Sequence, residues 1–471
     1  MNLNKILSFS IGPVIAAILS LITLPFVAWF FSIEDVGRLT MLQVVLGLAV
    51  SFFSLAMHQS YVREYHEEND KQALFKLSVI PGLILLFIST IIILVLPFTV
   101  SEVLFGIDSS LLTFLLLVGI FSSFFINFLA HVIRMEERGL AFSASQVAPK
   151  AFLLIFVCLI LILNLAENFK TLMLMNTLAI VFSLLVISWL TKNTWVIALH
   201  KSINICLLKK MLNFSLPLVA GGLAYWGLTT MDRFFLRGLS GFDELGVYAL
   251  SVAIAGSVSV ISSIFSNLWH PILYKWVKIG VDTNKVQCVI DNMVIAFAFI
   301  WSLFGTLSFI LVWFLPTEYK ATEYLIVACV AMPLFYMLAQ TTGVGIGINR
   351  RSKYAMLASI IAFLVNGLLN YLLIPNYGAA GAALASLLAF FIFFVVRTES
   401  SARLWFSFSR VKMYILTIAY VMATSVMVLS KAMIGYFYIV WLTLFLLTCL
   451  FYFSRINENT IFLKNYIRRN I

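Results

Sequence analysis

Apolar runs of roughly twenty residues follow one another along this chain, fourteen by count, with short polar gaps between them. About twenty apolar residues in a helix span the ~30 Å of bilayer hydrocarbon, so each run predicts one transmembrane helix. The runs lie at about 10–31, 38–60, 74–98, 110–133, 144–164, 170–191, 211–235, 244–270, 289–315, 322–348, 353–374, 379–397, 412–431 and 435–454. Such short gaps predict a bundle with little extramembrane domain.

Charge in the gaps alternates. One alternate set reads R-E-Y-H-E-E-N-D-K from Arg63, R-M-E-E-R from Arg134, K-K at Lys209, K-W-V-K at Lys275, R-R-S-K at Arg350 and R-V-K at Arg410. The other set reads S-E-V-L-F-G-I-D from Ser101, G-F-D-E from Gly241 and P-T-E-Y from Pro316. Most of the 31 Lys+Arg fall in the first set, whereas the 20 Asp+Glu divide evenly. Basic loops stay in the cytoplasm, so the first set faces inward, both termini are expected inside and the number of spans is even.

Composition agrees. The chain is 62% hydrophobic and 11% charged, with mean hydropathy +1.04; a soluble globule holds roughly 25% charged residues. Its net charge of +11 is mostly topological, which argues against a nucleic-acid partner and leaves some attraction to anionic lipid headgroups. Cys158, Cys206, Cys288, Cys329 and Cys449 form no CxxC pattern and read as reduced, inert thiols. The first apolar run is too long for a signal peptide and reads as a retained span.

Weak similarities recur at nearly one spacing. E-D-V-G-R from Glu34 returns as D-E-L-G-V from Asp243, M-H-Q from Met57 as W-H-P from Trp269, and E-R-G-L-A from Glu137 as R-R-S-K-Y from Arg350. They predict two parallel six-helix lobes, 1–205 and 206–397, around a central cavity. Residues 398–471 add two transmembrane helices and a cytoplasmic tail. The expected class is all-α and polytopic.

A few polar groups sit where hydrocarbon is expected, at a cost of roughly 2.5–3.5 kcal/mol each on insertion scales. Lys150 lies in A-P-K-A-F, about a turn and a half inside the fifth run, and either faces a wet interior or snorkels to the headgroups. Asp232 and Arg233 end the seventh run as a local ion pair or a functional pair. His58 and His270 occupy matched repeat positions, and His131 ends the fourth run. The cluster Glu64, Glu67, Glu68 and Asp70 reads as a solvated loop. Pro25, Pro97, Pro217, Gly221 and Gly222 either bend spans or only let helices pack. G-A-A-G-A-A from Gly378 reads as a close helix contact. No P-loop, H-E-x-x-H, G-x-S-x-G or zinc-spaced cluster is present, so no catalytic or metal site is expected and the chain is not read as an enzyme.

Four stretches carry a family likeness: E-D-V-G-R-L-T-M-L-Q from Glu34; F-S-L-P at Phe214 with M-D-R-F-F-L at Met231; E-L-G-V-Y-A-L-S from Glu244; and L-N-Y-L-L-I-P-N-Y-G-A-A-G-A-A from Leu369. Together they resemble the bacterial polysaccharide flippases of the multidrug/oligosaccharidyl-lipid/polysaccharide exporter superfamily, over most of the chain to about residue 400. The resemblance implies transfer of an undecaprenyl-diphosphate-linked oligosaccharide, such as an O-antigen (lipopolysaccharide) or capsule repeat unit. Transfer would run from the inner to the outer leaflet of the bacterial plasma (inner) membrane, by alternating access. Arg38, Arg63, Arg134, Lys150, Arg233 and Arg237 are the expected contacts to the diphosphate. Arg63 and Arg134 would stand at the inner mouth, and Arg38, Arg233 and Arg237 at the outer. Asp232, His58 and His270 are candidate coupling or gating groups, and Tyr225, Trp226 and Trp269 candidate platforms for sugars. No cofactor is expected beyond an H+ or Na+ gradient; membrane lipids, a polysaccharide polymerase and the chain-length machinery are candidate partners.

Three rivals stand beside this reading. A drug or small-molecule antiporter on this scaffold often carries an acidic residue in its first span, and none is present here. A membrane-embedded polymerase or ligase would need a sizeable outer loop. A peptidoglycan-precursor flippase also has fourteen spans, but the four stretches look closer to the polysaccharide branch.

Overall fold

A backbone in hydrocarbon has no water to bond, so its N–H and C=O groups must pair within the segment. The computed structural model, which describes residues 3–280, 283–430 and 436–453, meets this requirement with helices alone among the described residues. In order they are α1 (Leu3–Phe30), α2 (Ile33–Phe53), α3 (Met57–Glu64), α4 (Lys71–Val95), α5 (Val100–Phe105), α6 (Ser110–Met135), α7 (Gly139–Ile162), α8 (Phe169–Leu190), α9 (Lys192–Leu199) and α10 (Ile205–Leu239). There follow α11 (Phe242–Ala255), α12 (Ser257–Lys278), α13 (Thr283–Val312), α14 (Thr322–Thr342), α15 (Val344–Ile348), α16 (Lys353–Tyr377), α17 (Ala379–Leu404), α18 (Val411–Ser430) and α19 (Phe437–Phe451).

Among the described residues, twelve helices are long and apolar enough to cross a bilayer, and the pair α11–α12, bent by 41°, makes a thirteenth. The fourteenth apolar run holds the shorter helix Tyr438–Phe451. The all-α, polytopic expectation is borne out. The tail 454–471 lies outside the described residues.

The second run departs from expectation. It is not one helix over 38–60 but α2 and α3, separated where Leu55 (φ 47°) and Ala56 (φ 53°) adopt the left-handed conformation. Neither residue is a glycine, and no proline is near. Conversely, α1 runs unbroken through Pro13 and Pro25, and α10 through Pro217. Pro97 lies beyond the end of α4.

Contacts divide the chain into two units, Met1–Arg237 with Gly241–Ala249, and Gly238–Ser240 with Leu250–Ile471. Within the first, α1 packs on α7, α2 on α6, and α8 on both α6 and α7. Within the second, α17 packs on both α14 and α16, and α14 on α12 and α13. The E-R-G/R-R-S similarity has a backbone counterpart. Glu137 (φ 57°) and Arg350 (φ 53°) both turn left-handed, and each is followed by the same closing bond, Arg138 N to Ile133 O at 3.2 Å and Arg351 N to Ile346 O at 3.0 Å. These are helix C-terminal turns that satisfy otherwise orphaned carbonyls.

Large apolar side chains point outward, as a lipid-facing surface requires: Ile84, Phe87, Ile88 and Ile91 are exposed along α4, while Ser78 on the same helix is buried. Gly381 of the G-A-A-G-A-A stretch abuts the backbone of Leu373, as expected for a close contact of α16 and α17.

The E-D-V-G-R/D-E-L-G-V similarity becomes a reciprocal contact in the first unit. Ile33 corresponds to Phe242 and Gly37 to Gly246 in that repeat. A Cβ on Gly37 would lie 2.2 Å from the Phe242 carbonyl oxygen; one on Gly246 would lie 2.4 Å from that of Ile33. Each glycine therefore receives the opposite helix start, and no side chain fits at either position. Gly37→Val and Gly246→Val are each expected to cost about 1–3 kcal/mol, read as a lower melting temperature of the detergent-solubilised protein. Gly222→Ala, with no heavy atom within 4 Å of the added Cβ, is expected to be tolerated.

Candidate functional site

The cationic candidates of the first unit lie at its two ends and between them. At one end the sequence folds α2 from an N-cap, Ser32, whose hydroxyl accepts from Asp35 N–H at 3.2 Å. One turn on, Arg38 donates to Asp35 (2.9 Å), to Glu34 (2.6 Å) and to the Phe105 carbonyl (3.1 Å). Its guanidinium also lies 4.9 Å from the Phe242 ring centre. Arg38 is thus a clamp joining α2, α5 and α11, with its charge already met by two carboxylates. Arg237 shares the same ring at 5.7 Å, and its Nε is buried without a hydrogen-bond partner among the described residues.

Asp232 is 1% exposed. It accepts from the Tyr248 hydroxyl and from Arg233 N–H at 2.9 Å. The Arg233 guanidinium lies 3.6 Å from the same carboxylate and donates to the Thr229 carbonyl at 3.0 Å, but its Nε has no partner among the described residues. Asp232 and Arg233 are therefore a local pair, and that pair is also tied to α11 through Tyr248.

At the opposite end, α3 is held on two sides. Ser60 donates to the Met211 carbonyl of α10 at 2.8 Å, and Ser215 of α10 donates to the Met57 sulfur at 3.1 Å. Glu64 is 2% exposed and receives Lys210 of α10 at 2.5 Å. The solvated-loop reading is thus corrected for Glu64: a short polar helix is buried because α10 arrives on it. Asp70 caps α4 through Ala73 N–H at 3.0 Å and pairs with Lys201 at 2.8 Å. Those two bonds, the Lys201 one foremost, hold its carboxyl below the ordinary value.

On its other side α3 meets α6. His58 stacks on His131, ring centres 4.9 Å apart and planes 20° apart. The repeat had matched His58 with His270, which lies on α12 and bonds the Gln340 backbone. Position in a repeat says nothing of which ring a histidine meets inside its own bundle. Arg63 stacks on Phe214 at 4.3 Å. Arg134 is exposed, and its side chain makes no hydrogen bond or ion pair among the described residues.

Lys150 sits between the ends. It is about 16 Å along α7 from Gly139. Its ammonium donates to the Ser20 hydroxyl of α1 rather than reaching for the helix end. Arg233 lies about 35 Å along α10 from Lys210. The unit therefore presents Arg134, Lys150 and Arg233 at three depths.

Of the proposed sugar platforms, Trp269 is 3% exposed and donates to the Thr341 carbonyl at 3.4 Å, so it is packing. Tyr225 and Trp226 are half-buried on α10. Sequence reasoning missed two polar features of the second unit. Arg410 grips Glu399 through two bonds, 2.7 and 3.2 Å, joining α17 to the start of α18 with Tyr414 at 2.8 Å. Asn366 bonds both Ser386 (3.2 Å) and Asn370 (2.9 Å) between α16 and α17. Asn366 and Asn370 stand one turn apart inside an apolar run, which is the signal that was available. No group of three or more metal-ligating side chains gathers among the described residues, and Cys206, unlike the other thiols, is exposed.

The sequence profile of the polysaccharide biosynthesis protein family matches residues 3–277. The chain belongs to this family. No curated protein matches the chain in sequence. Solved structures do match in shape. The lipid II flippase MurJ, in an inward closed conformation, superposes with a TM-score of 0.65 at 16% identity over 95% of this chain and 99% of its own. An inward-facing multidrug-resistance MATE transporter of the MOP superfamily gives 0.55 at 15%, over 85% and 98%. The MATE multidrug transporter DinF-BH gives 0.56 at 18%, over 86% and 95%. This polysaccharide-biosynthesis protein thus has the fold shared by MurJ and the MATE transporters, and it is a multi-pass membrane protein.

The docking of α3 gives a direct test. Glu64→Ala is expected to lower the melting temperature and open α3 to proteolysis. Glu67→Ala, at a side chain 64% exposed, is expected to change stability by less than about 0.5 kcal/mol.

Proposed function

We propose that this family member is a flippase that carries a polyprenyl-diphosphate-linked oligosaccharide, an O-antigen or other surface-polysaccharide repeat unit, from the inner to the outer leaflet of the bacterial plasma membrane. It works by alternating access, without catalysis, with both termini in the cytoplasm. The observation that carries the reading is the staggered series Arg134, Lys150 and Arg233 in one helical unit whose outer surface is apolar. A diphosphate cannot enter hydrocarbon bare, because its oxygens would lose water with no replacement. Cations at successive depths replace that water with charge-assisted hydrogen bonds, while a polyprenyl tail remains in lipid. The polysaccharide family supports a saccharide cargo, and the fold shared with a lipid II flippase supports a lipid-linked one.

In this proposal Arg63 and Arg134 receive the headgroup, Lys150 holds it in transit, and Arg233 and Arg237 meet it at the other end. Arg38 acts mainly by positioning α2 and α11. Asp232, His58 and His270 are the proposed coupling or gating groups. An H+ or Na+ gradient is the proposed energy source, and a polysaccharide polymerase with its chain-length machinery the proposed consumer.

Deleting the gene and analysing lipids tests the cargo. The expected outcome is lipid-linked repeat units held in the inner leaflet and loss of surface polysaccharide. Unchanged surface polysaccharide, or arrested peptidoglycan precursor instead, overturns the assignment. Arg134→Ala and Arg233→Ala are each expected to slow export roughly tenfold, the worth of about one charge-assisted hydrogen bond, with Lys at either position retaining part of the rate. Wild-type export by both Ala variants, measured as surface polysaccharide per cell, excludes them from the path.

A further inference from the structure

We infer that His58 and His131 form a proton-binding site that governs whether α3 stays docked against α6. The imidazoles lie face to face, with centres 4.9 Å apart, and the Nδ1 of each is buried with no hydrogen-bond partner among the described residues. A neutral ring can carry its hydrogen on Nε2, which leaves the unpartnered Nδ1 an idle acceptor. A proton taken from water turns it into a charged donor with nothing to receive it, which is much costlier in a buried site. Two stacked rings this close also cannot both carry charge cheaply. The protonated ring meets its need by moving out to water, and α3 moves with it.

The surroundings favour that motion. Arg134 stands one turn from His131 on α6 and adds positive charge, with Glu136 just beyond it. Arg63 and Glu64 lie on α3, where Glu64 is already engaged by Lys210 of α10. From α4, Phe75 meets Tyr61 of α3, and Lys71 is bonded to the carbonyls of Tyr65 and Glu68. The end of α2 and its cap, Phe52, Phe53 and Ser54, carry no titratable group. No carboxylate in that set is placed by a hydrogen bond to receive either imidazole. The left-handed residues Leu55 and Ala56 supply the pivot between α2 and α3. A role in coupling a proton gradient to transport rests on the flippase reading; the switch itself does not.

The test uses the full-length protein in nanodiscs without substrate. Spin labels at Gln59→Cys on α3 and Leu140→Cys on α7, both exposed positions, are placed in a background cleared of other cysteines. Distances are read from about pH 8 to about pH 5, either side of the ordinary histidine value. The expected result is a distribution that shifts to longer distance on acidification. Imidazole NMR of the same protein is expected to show the two rings titrating in coupled steps more than about one pH unit apart. His58→Phe and His131→Phe, which keep a ring in the stack, are expected to abolish the shift, and His131→Gln serves where a Phe variant melts early. An acid shift that persists in these variants, or a wild-type distance that does not change while the rings titrate independently, overturns the proposal. Since no substrate is present, that failure leaves the flippase reading standing; unchanged surface polysaccharide in the deletion strain, with an intact pH shift in the purified protein, would do the reverse.

Discussion

The reciprocal seating of Gly37 on Phe242 and of Gly246 on Ile33 is the contact on which the first unit depends. Two helix starts approach until backbone touches backbone, and only hydrogen fits where a side chain would stand. The hydrophobic effect does not favour one helix pair over another in lipid, so van der Waals packing at close backbone approach is what selects partners there. Once α2 and α11 meet, the rest of that end follows. Phe242 comes within reach of Arg38 and Arg237, and Tyr248 is delivered to the Asp232 carboxylate. Three charged groups, Arg38, Arg237 and Asp232, are then held near one crossing, each with at least one partner.

The opposite end is built on different terms. There α3 is short and polar, and its stability comes from what docks on it: Ser60 and Glu64 toward α10, His58 toward α6. A crossing sealed by glycines is hard to loosen without wholesale separation. A docked helix held by three or four hydrogen bonds is more readily released. One unit therefore carries a stiff end and a labile end, and Arg134, an exposed cation whose side chain is unpaired among the described residues, is at the labile one.

Much of this was legible beforehand. Runs of apolar residues marked the spans; the glycine-bearing repeat contains both sides of the crossing, but the sequence alone reads it as a sign of two lobes and not as a contact. The G-A-A-G-A-A stretch announced the contact of α16 with α17. Other features were hidden for identifiable reasons. Leu55 and Ala56 have no breaker chemistry, so the gap between α2 and α3 is imposed by tertiary contacts. Glu64 looked solvated because burial there depends on a helix whose Lys210 lies 146 residues later in the chain. His131 was visible as an oddity, but its stacking on His58 is a matter of rotation about two helix axes, which periodicity near a run's end does not determine. Lys150 stands out in its apolar run, but its partner Ser20 on α1 lies 130 residues earlier, and no local pattern reveals that.

The join between α2 and α3 has a mechanical meaning. An L-residue in the left-handed region gives up roughly 1–2 kcal/mol, and Leu55 and Ala56 do so in succession. The fold carries that strain only while α3 is seated. A continuous helix over 33–64 would be about 48 Å long, longer than the ~30 Å of hydrocarbon. The join therefore sets the reach of this span, because it stops α2 at Phe53 and turns the polar α3 onto α6 and α10.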